Sequence, residues 1–265
     1  MGLAIDTVLL DVHNAATSAI GLTAATLASG DSLQVRAFKD SGYASLENVF
    51  LQGTTPPRRF RLLSPRLHDN VTGISFDALE NPTEFLIAAE LSQALYSADQ
   101  LVAQMDAAAS SDTVAALSVY YSDLPGVAAN LYTWDQVKPR IIDVKPVEVA
   151  VTSSGTIGAW SDTVITTTEN QLKANYEYAV LGFQASALFA CQGVKGPATG
   201  NLRVCAPGAS PTLRLTDYFV FQSQQGNRPY IPVINANDRG ATFVSVAANS
   251  ASVSGSVFPI LARLG

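Results

Sequence analysis

The chain has 265 residues, with 16 Lys and Arg against 22 Asp and Glu, for a formal net charge of −6. That length holds two domains of ordinary size, each roughly 130 residues and able to bury about two-thirds of its unfolded surface. The acidic balance excludes a protein whose main task is to coat a phosphate backbone. Charged residues at 14% beside hydrophobic ones at 48% exclude the well-hydrated surface of an ordinary soluble monomer.

Either such a chain lies in a membrane or neighbours cover much of its surface. Its longest apolar stretches, at 85–89 and 114–121, fall far short of the ~20 residues a helical span needs. No Lys or Arg precedes Arg36, so no secretory leader is expected. Asp6 stands where a myristoylation motif takes Ser or Thr. Extensive protein–protein contact is therefore the expectation.

Taken in chain order, strand signals dominate. Leu33, Val35 and Ala37 alternate with Gln34 and Arg36, which puts the apolar set on one face of an extended segment. The turn-forming stretch 53–57 follows, and then Arg58, Arg59, Arg61 and Arg66, four guanidiniums within nine residues. Over 98–109 the pattern changes. Ser97 and Gln100 form a candidate capping box, and Leu101, Met105 and Ala108 share a helical face, so a short helix inserted in the first half is predicted.

The stretch 135–145 carries five charged residues, and Pro139 and Pro146 interrupt regular pairing there, as in a linker. Beyond it a two-residue period returns at 147–151, 164–168, 176–180, 213–215, 243–246 and 253–257. Turn clusters at 193–200, 226–229 and 235–240 punctuate these runs. Many short strands so separated predict an all-β protein of sandwich or barrel type.

An internal repeat divides the chain. Phe60-Arg61-Leu62-Leu63-Ser64-Pro65 aligns with Leu202-Arg203-Val204-Cys205-Ala206-Pro207, and Val35-Arg36-Ala37-Phe38 with Val180-Leu181-Gly182-Phe183. Gln52-Gly53 aligns with Gln192-Gly193, and Ser118-Val119-Tyr120 with Ser256-Val257-Phe258. Their shared order and near-constant offset predict a first domain at 1–135, a linker at 136–146 and a second domain at 147–265. Three copies of a two-barrel chain set six similar barrels around one axis, a six-sided tile that covers a surface with few gaps.

In length, tandem β halves, a helix-bearing insertion late in the first half and a closing C-terminal strand at 252–261, the chain resembles the double jelly-roll major capsid proteins of tailless icosahedral phages with an internal membrane. The likeness is architectural and covers nearly the whole chain. It implies two tandem jelly-roll β-barrels, trimeric capsomers packed into an icosahedral lattice, no enzymatic activity, and residence in the virion after synthesis in the host cytoplasm. The partners implied are further copies of the chain, other virion proteins and an underlying lipid membrane, with no sequence-specific contact to nucleic acid.

Chemistry-bearing motifs are sparse. The histidines His13 and His68 lack the spacing of a metal-binding jelly roll. Gly193-Val194-Lys195-Gly196 lacks the Lys-Ser/Thr ending of a P-loop, and 252–255 does not match a nucleophile elbow. Cys191 and Cys205 read as apolar residues on neighbouring strands, with a disulfide the alternative. The sequon at 70–72 matters only on a secretory route. No cofactor is expected, although loop oxygens at Asp217 and at Asn235, Asn237 and Asp238 are of the kind structural Ca²⁺ takes.

Arg58, Arg59, Arg61 and Arg66 are the candidate contacts to a neighbouring subunit or an anionic partner; the alternative is a charged strand edge with local ion pairs. Two other functions fit parts of the sequence. Tyr43, Tyr132, Trp134, Trp160 and Tyr230 would serve a carbohydrate- or receptor-binding module such as a spike or lectin-like protein. A β-sandwich hydrolase ranks last, for want of a recognisable nucleophile or metal set.

Overall fold

The computed structural model describes residues 2–27, 33–53, 58–66, 73–78, 83–86, 93–165, 172–208 and 215–265. The first half carries β1 (Ala4–Asn14), β2 (Thr23–Ala24), β3 (Ala44–Gly53), β4 (Arg58–Leu63), β5 (Ile74–Ala78), β6 (Thr83–Leu86), β7 (Gln93–Leu95), β8 (Val102–Met105) and β9 (Ser111–Tyr121). The second half carries β10 (Leu131–Tyr132), α1 (Trp134–Val137), β11 (Ile141–Pro146), β12 (Val149–Thr152), β13 (Ser161–Val164), β14 (Glu177–Ala185), β15 (Cys191–Lys195) and β16 (Val204–Pro207). After these come α2 (Tyr218–Gly226), β17 (Ile231–Asn235), β18 (Phe243–Ala247) and β19 (Ser254–Leu264). The chain is all-β in character, with antiparallel pairing throughout the described strands.

Four sheets result, and the two halves are threaded alike. In the first half one sheet runs β1-β9-β3-β6, with β7 pairing the other end of β3, and the second runs β2-β8-β4-β5. In the second half one sheet runs β10-β17-β14-β19-β11, with β12 continuing β11 along β19, and the other runs β13-β18-β15-β16. With β6 and β7 counted as one interrupted strand, β11 and β12 as another, and the two-residue β10 set apart, both halves place first beside last, last beside third and third beside sixth. The remaining four strands form the facing sheet in the same relative order. A β-bulge falls at the same place in both, where the third strand meets the last: at Glu47 in β3 and at Leu181 in β14.

The repeat read from sequence lands on this plan unevenly. Ser118–Tyr120 and Ser256–Phe258 fall on β9 and β19, the corresponding last strands. The other aligned segments do not correspond: 60–63 lies on β4 but 204–207 on β16, and 52–53 on β3 but 192–193 on β15, each one strand later, while 180–183 lies on β14 and 35–38 on no strand. Alternating apolar residues and a Pro-ended turn recur in every strand of such a fold, so short matches slip by a whole strand.

The helix expected over 98–109 is absent. Val102 and Gln104 face outward while Ala103 and Met105 are buried, so the two-residue period prevails and the segment pairs as β8 with β4. Ala98 and Ser110 at its ends have φ of 58° and 49°, the left-handed turns that set off a strand rather than a helix. The helices of the described residues lie in the second half instead, at α1 and α2. The stretch expected as a linker, 136–146, is the end of α1, a 3₁₀ turn (Lys138–Arg140) and β11, already paired with β19. Likewise 33–37 forms no strand beyond one bridge from Gln34 to Gln100.

Two apolar clusters hold the molecule together. One fills the space between the first-half sheets, with Leu10, Val12, Leu46, Leu51, Phe60, Leu62, Met105 and Leu117. The other fills the second half and reaches across to Ile5, Leu9, Phe50, Val114, Ala116 and Tyr120. The strands β1, β3 and β9 therefore bury both faces, which is why all ten residues of β3 are buried.

Candidate functional site

The outer face of the β1-β9-β3 sheet is built from alternate residues in register. Ile5 lies opposite Tyr120, Thr7 opposite Ser118 and Leu9 opposite Ala116, while Asn48, Phe50 and Gln52 continue the rows on β3. On this face Thr7 Oγ1 and Ser118 Oγ share a buried hydrogen bond of 2.9 Å. Against it pack β16 and the elements around α2. Leu202, just before β16, enters the first-half cluster, so the contact is reciprocal.

Polar side chains meet across this junction, with Asn48 Oδ1 and Arg228 Nε the buried atoms left without a hydrogen bond among the described residues. Asn48 Nδ2 donates to Tyr218 Oη at 2.8 Å and to Tyr230 Oη at 3.1 Å, and the Asn249 amide donates to Gln52 Oε1 at 3.1 Å. The bulge turns Glu47 into the junction, where its carboxylate is fully buried and takes both terminal nitrogens of Arg228, Nη1 at 2.9 Å. The Arg228 guanidinium lies 4.8 Å from the Tyr120 ring and 5.4 Å from that of Tyr230, and those rings stack 6.3 Å apart. Burial works against the Arg228 charge, but the hydrogen bonds and charge of Glu47 outweigh it and raise its pKa. Burial likewise pushes the Tyr120 hydroxyl well above the ordinary phenol range.

One rim of the junction opens into a cleft of about 440 Å³ lined by Asp6, Gln34, Arg36, Asn201 and Arg203. Its cations are engaged within the chain: Arg36 Nε bonds Asp6 at 2.7 Å, and Arg203 Nη2 bonds Asp162 at 2.9 Å with its guanidinium over Trp160. Burial opposes the Asp162 charge, yet the Ser245 hydroxyl and Arg203 hold its carboxyl below the usual range.

Of the candidate arginines whose side chains are described, Arg59 and Arg61 share one face of β4 and Arg66 lies beyond the strand. Arg59 and Arg61 alternate with the fully buried Phe60 and Leu62, so both project from the outer face of the β2-β8-β4-β5 sheet. Arg59 Nε is bound to Asp106, a carboxylate with no exposed surface, at 2.8 Å. Arg61 Nε donates to Ser75 Oγ at 3.3 Å, and Arg66, beyond the strand, lies over the Tyr96 ring. The Arg58 side chain lies outside what the structure describes, as do His68, the sequon at 70–72 and the 166–168 and 213–214 parts of two expected strands.

The remaining sequence candidates also separate. Tyr230 is fully buried, Trp160 sits under Arg203, and Tyr43 is exposed and stacks on Tyr120, so the five aromatics make no common platform. Cys191 and Cys205 are buried thiols on paired strands. His13 Nδ1 lies 2.7 Å from Asp112 Oδ1. Asn235 Oδ1 is taken by the Asn237 amide and Asn237 Oδ1 by that of Asn175, so these loop oxygens are already occupied. Among the described residues, no three His, Cys, Asp or Glu side chains gather as a metal site, and no helix is long and apolar enough to cross a membrane.

The Glu47–Arg228 pair was not anticipated from sequence. Its one signal is Glu47-Asn48 breaking the apolar alternation between Leu46 and Val49, as a bulge does.

No protein-family model matches the chain, and no curated protein does. Among solved structures it is similar to a chain from the atomic structure of Sulfolobus turreted icosahedral virus, at 9% identity and TM-score 0.26, covering 99% of this chain and 80% of that one. The major capsid protein of the same virus, solved separately, gives 9% identity and TM-score 0.20, covering 98% and 88%. A glycoside hydrolase in complex with neoagarooctaose gives 11% identity and TM-score 0.19, with 98% of this chain on 33% of that one. At such TM-scores these likenesses carry no argument about fold or role.

Proposed function

We propose that the chain is a non-enzymatic shell-forming subunit, a double jelly roll whose copies assemble as trimers into the capsid of a virus. The observation that carries this reading is the common threading of the two halves. With β10 set apart, each half divides eight strands between two facing sheets in one relative order, bulge included. That order is the jelly-roll order, and its occurrence twice in one chain supports a duplicated unit. We place the boundary between the units at 122–130, since β9 closes the first set of sheets and β10 already pairs with β17 of the second.

The physical case is one of tiling. The two units share a buried apolar cluster and a buried ion pair, so they move as one body and present a fixed angle to their neighbours. Three such bodies in a ring make a six-sided tile. The sparsely charged composition is what a surface meant to be covered requires. Light scattering on the chromatographed protein should give a stable trimer, and electron microscopy of concentrated samples should show sheets or closed particles. A monomer at every concentration, with no ordered assembly, would overturn the reading.

A further inference from the structure

We infer that the hollow between Trp134 and the end of α2 is a binding site for a neutral sugar, taking one pyranose ring against the indole. The site goes beyond the shell reading and does not rest on it, since it needs no second copy of the chain.

The hollow has a volume of about 140 Å³ and is lined by Thr133, Trp134, Asp135, Ser223, Gln224 and Asn227. Its frame is fixed by hydrogen bonds within the chain. Thr133 and Gln136 bond reciprocally, Gln136 N to Thr133 Oγ1 at 3.3 Å and Thr133 N to Gln136 Oε1 at 2.9 Å. The Trp134 amide donates to Ser223 Oγ at 2.9 Å, and that hydroxyl donates to the Arg228 carbonyl at 2.9 Å. One buried serine thus ties Trp134 to the last turns of α2 and to the chain that leaves it. Asn227 ends α2 in the left-handed conformation, φ 43° and ψ 48°, with its amide N–H bonded to the Gln224 and Ser223 carbonyls. Arg228, the next residue, is anchored by Glu47 in the junction. Both walls are set in advance, so binding calls for little reordering.

The side chains on this frame are free to receive a ligand. Asp135, Gln224 and Asn227 are exposed, and among the described residues their polar atoms and the Trp134 indole nitrogen make no hydrogen bond within the chain. Trp134 packs on the second-half apolar cluster and is partly exposed. The other four aromatic candidates of the sequence do not line the hollow, so a single ring works here with polar neighbours.

The lining selects the ligand by elimination. No Lys, Arg or His lines the hollow, so an anion finds no counter-charge. One carboxylate is too few for a metal ion, which takes several oxygens or nitrogens at once. Five of the six side chains are polar, and a hydrocarbon ligand would leave them dry and unbonded. A neutral ligand with many hydroxyls and one apolar face fits all three conditions. A pyranose has both features. Its C–H face lies on an indole ring, its hydroxyls donate to the Asp135 carboxylate, and the Gln224 and Asn227 amides both donate to and accept from it.

The test is saturation-transfer NMR on the full-length protein with glucose, galactose, mannose and N-acetylglucosamine, with sialic acid and glucose 6-phosphate as charged controls. At least one neutral sugar should show transfer, strongest at the C–H groups facing the indole, and the charged pair should show none. Asn227→Gly removes the amide and keeps a backbone that tolerates positive φ. Asp135→Ala removes an exposed carboxylate, and circular dichroism checks that both variants keep the wild-type fold. Each should weaken binding by about tenfold or more. The chain has two tryptophans, so Trp160→Phe leaves Trp134 as the sole indole, and its emission should shift to shorter wavelength on adding the sugar. A glycan array run alongside tells a free monosaccharide from the end of a longer chain.

Binding that survives undiminished in both folded variants would put the sugar elsewhere and overturn the inference. So would transfer confined to the charged sugars, or transfer from none of the six at millimolar concentration. A variant that loses the fold is replaced by Gln224→Ala under the same criteria. Light scattering on the same samples keeps the two readings apart. A trimer that binds no sugar overturns the site alone, and a monomer that binds sugar overturns the shell reading alone.

Discussion

The β1-β9-β3 sheet and the β12-β19-β14 sheet occupy the same place in their respective halves, yet the outer face of the first is buried by the second half, while that of the second is buried at Ala179, Ile260 and Ala262 and exposed at Ala150, Thr152 and Ser254. The contrast shows what closing a sheet face requires. Where the face is closed, Glu47 pairs with Arg228, Asn48 with two tyrosine hydroxyls and Gln52 with the Asn249 amide across the junction, while Thr7 and Ser118 pair within the face. Where it is open, the face carries small hydroxyls paired among themselves. The first face is specialised for one neighbour already in place. The second is ready for a neighbour without being committed to any one side chain.

The largest effect that breaks this comparison is expected at the buried ion pair. Glu47→Ala leaves the Arg228 charge enclosed by Tyr120 and Tyr230 with no counter-charge, and should cost about 3–5 kcal/mol in denaturant unfolding. Replacing the pair together, as Glu47→Leu with Arg228→Met, should recover most of that loss, because the apolar pair removes both desolvation penalties. Recovery would show that the pair sets the geometry of the junction more than its stability. If the double variant is as unstable as the single one, the ion pair itself supplies stability.

A smaller effect separates the two sides by packing. A Cβ on Gly193 would fall 2.4 Å from the Cys205 sulfur and 2.5 Å from the Val204 carbonyl, so Gly193→Ala should cost about 1–3 kcal/mol through overpacking. Gly155, near the open side, has only the Ser252 hydroxyl at 3.9 Å, and Gly155→Ala should stay within about 0.5 kcal/mol of wild type. Thermal unfolding of the two variants side by side checks the difference.

How much of this was legible in the sequence differs by feature. The all-β class followed from alternation and turn residues, and those signals are local. The correspondence of 118–120 with 256–258 was also legible, because both lie on long strands whose pattern has no competitor nearby. The 98–109 segment misled because Leu101, Met105 and Ala108 fit a helical face as well as Ala103 and Met105 fit a strand; pairing with β4 decided it, and pairing is not local. The arginine run was visible as composition, but alternation across β4 sends Arg59 to Asp106 and Arg61 to Ser75. The Glu47–Arg228 pair spans 181 positions, a separation at which no sequence pattern links two residues.

A pH effect is expected where the closed face reaches its edge at Asp11. Burial, with the Asp112 carboxylate adding to it and His13 opposing, raises the Asp11 carboxyl from 3.8 to about 6. Because the folded pKa lies above the unfolded one, the folded state binds the proton more tightly between them. Stability should therefore fall as pH rises from about 4 to about 6 and be level with respect to this group above that. Asp11→Asn removes the titration. It should raise the urea midpoint relative to wild type at pH 7 and leave it unchanged at pH 4; an equal shift at both values would assign the effect to packing instead.

The smallest effect concerns the two hydroxyl pairs and sharpens the comparison most, since it reads the same chemistry in two surroundings. Thr152→Val removes an exposed hydroxyl whose partner, Ser254, can turn to water, so the isolated chain should change by no more than about 0.5 kcal/mol. Thr7→Val leaves the Ser118 hydroxyl enclosed without its partner and should cost about 1–3 kcal/mol in the same assay. Assembly then adds a second reading of Thr152. If a neighbour covers that face, Thr152→Val should weaken the oligomer in dilution experiments while leaving monomer unfolding untouched. If the face stays wet, the variant should match wild type in both, and the likeness between the two Thr–Ser pairs would then reflect common strand chemistry alone.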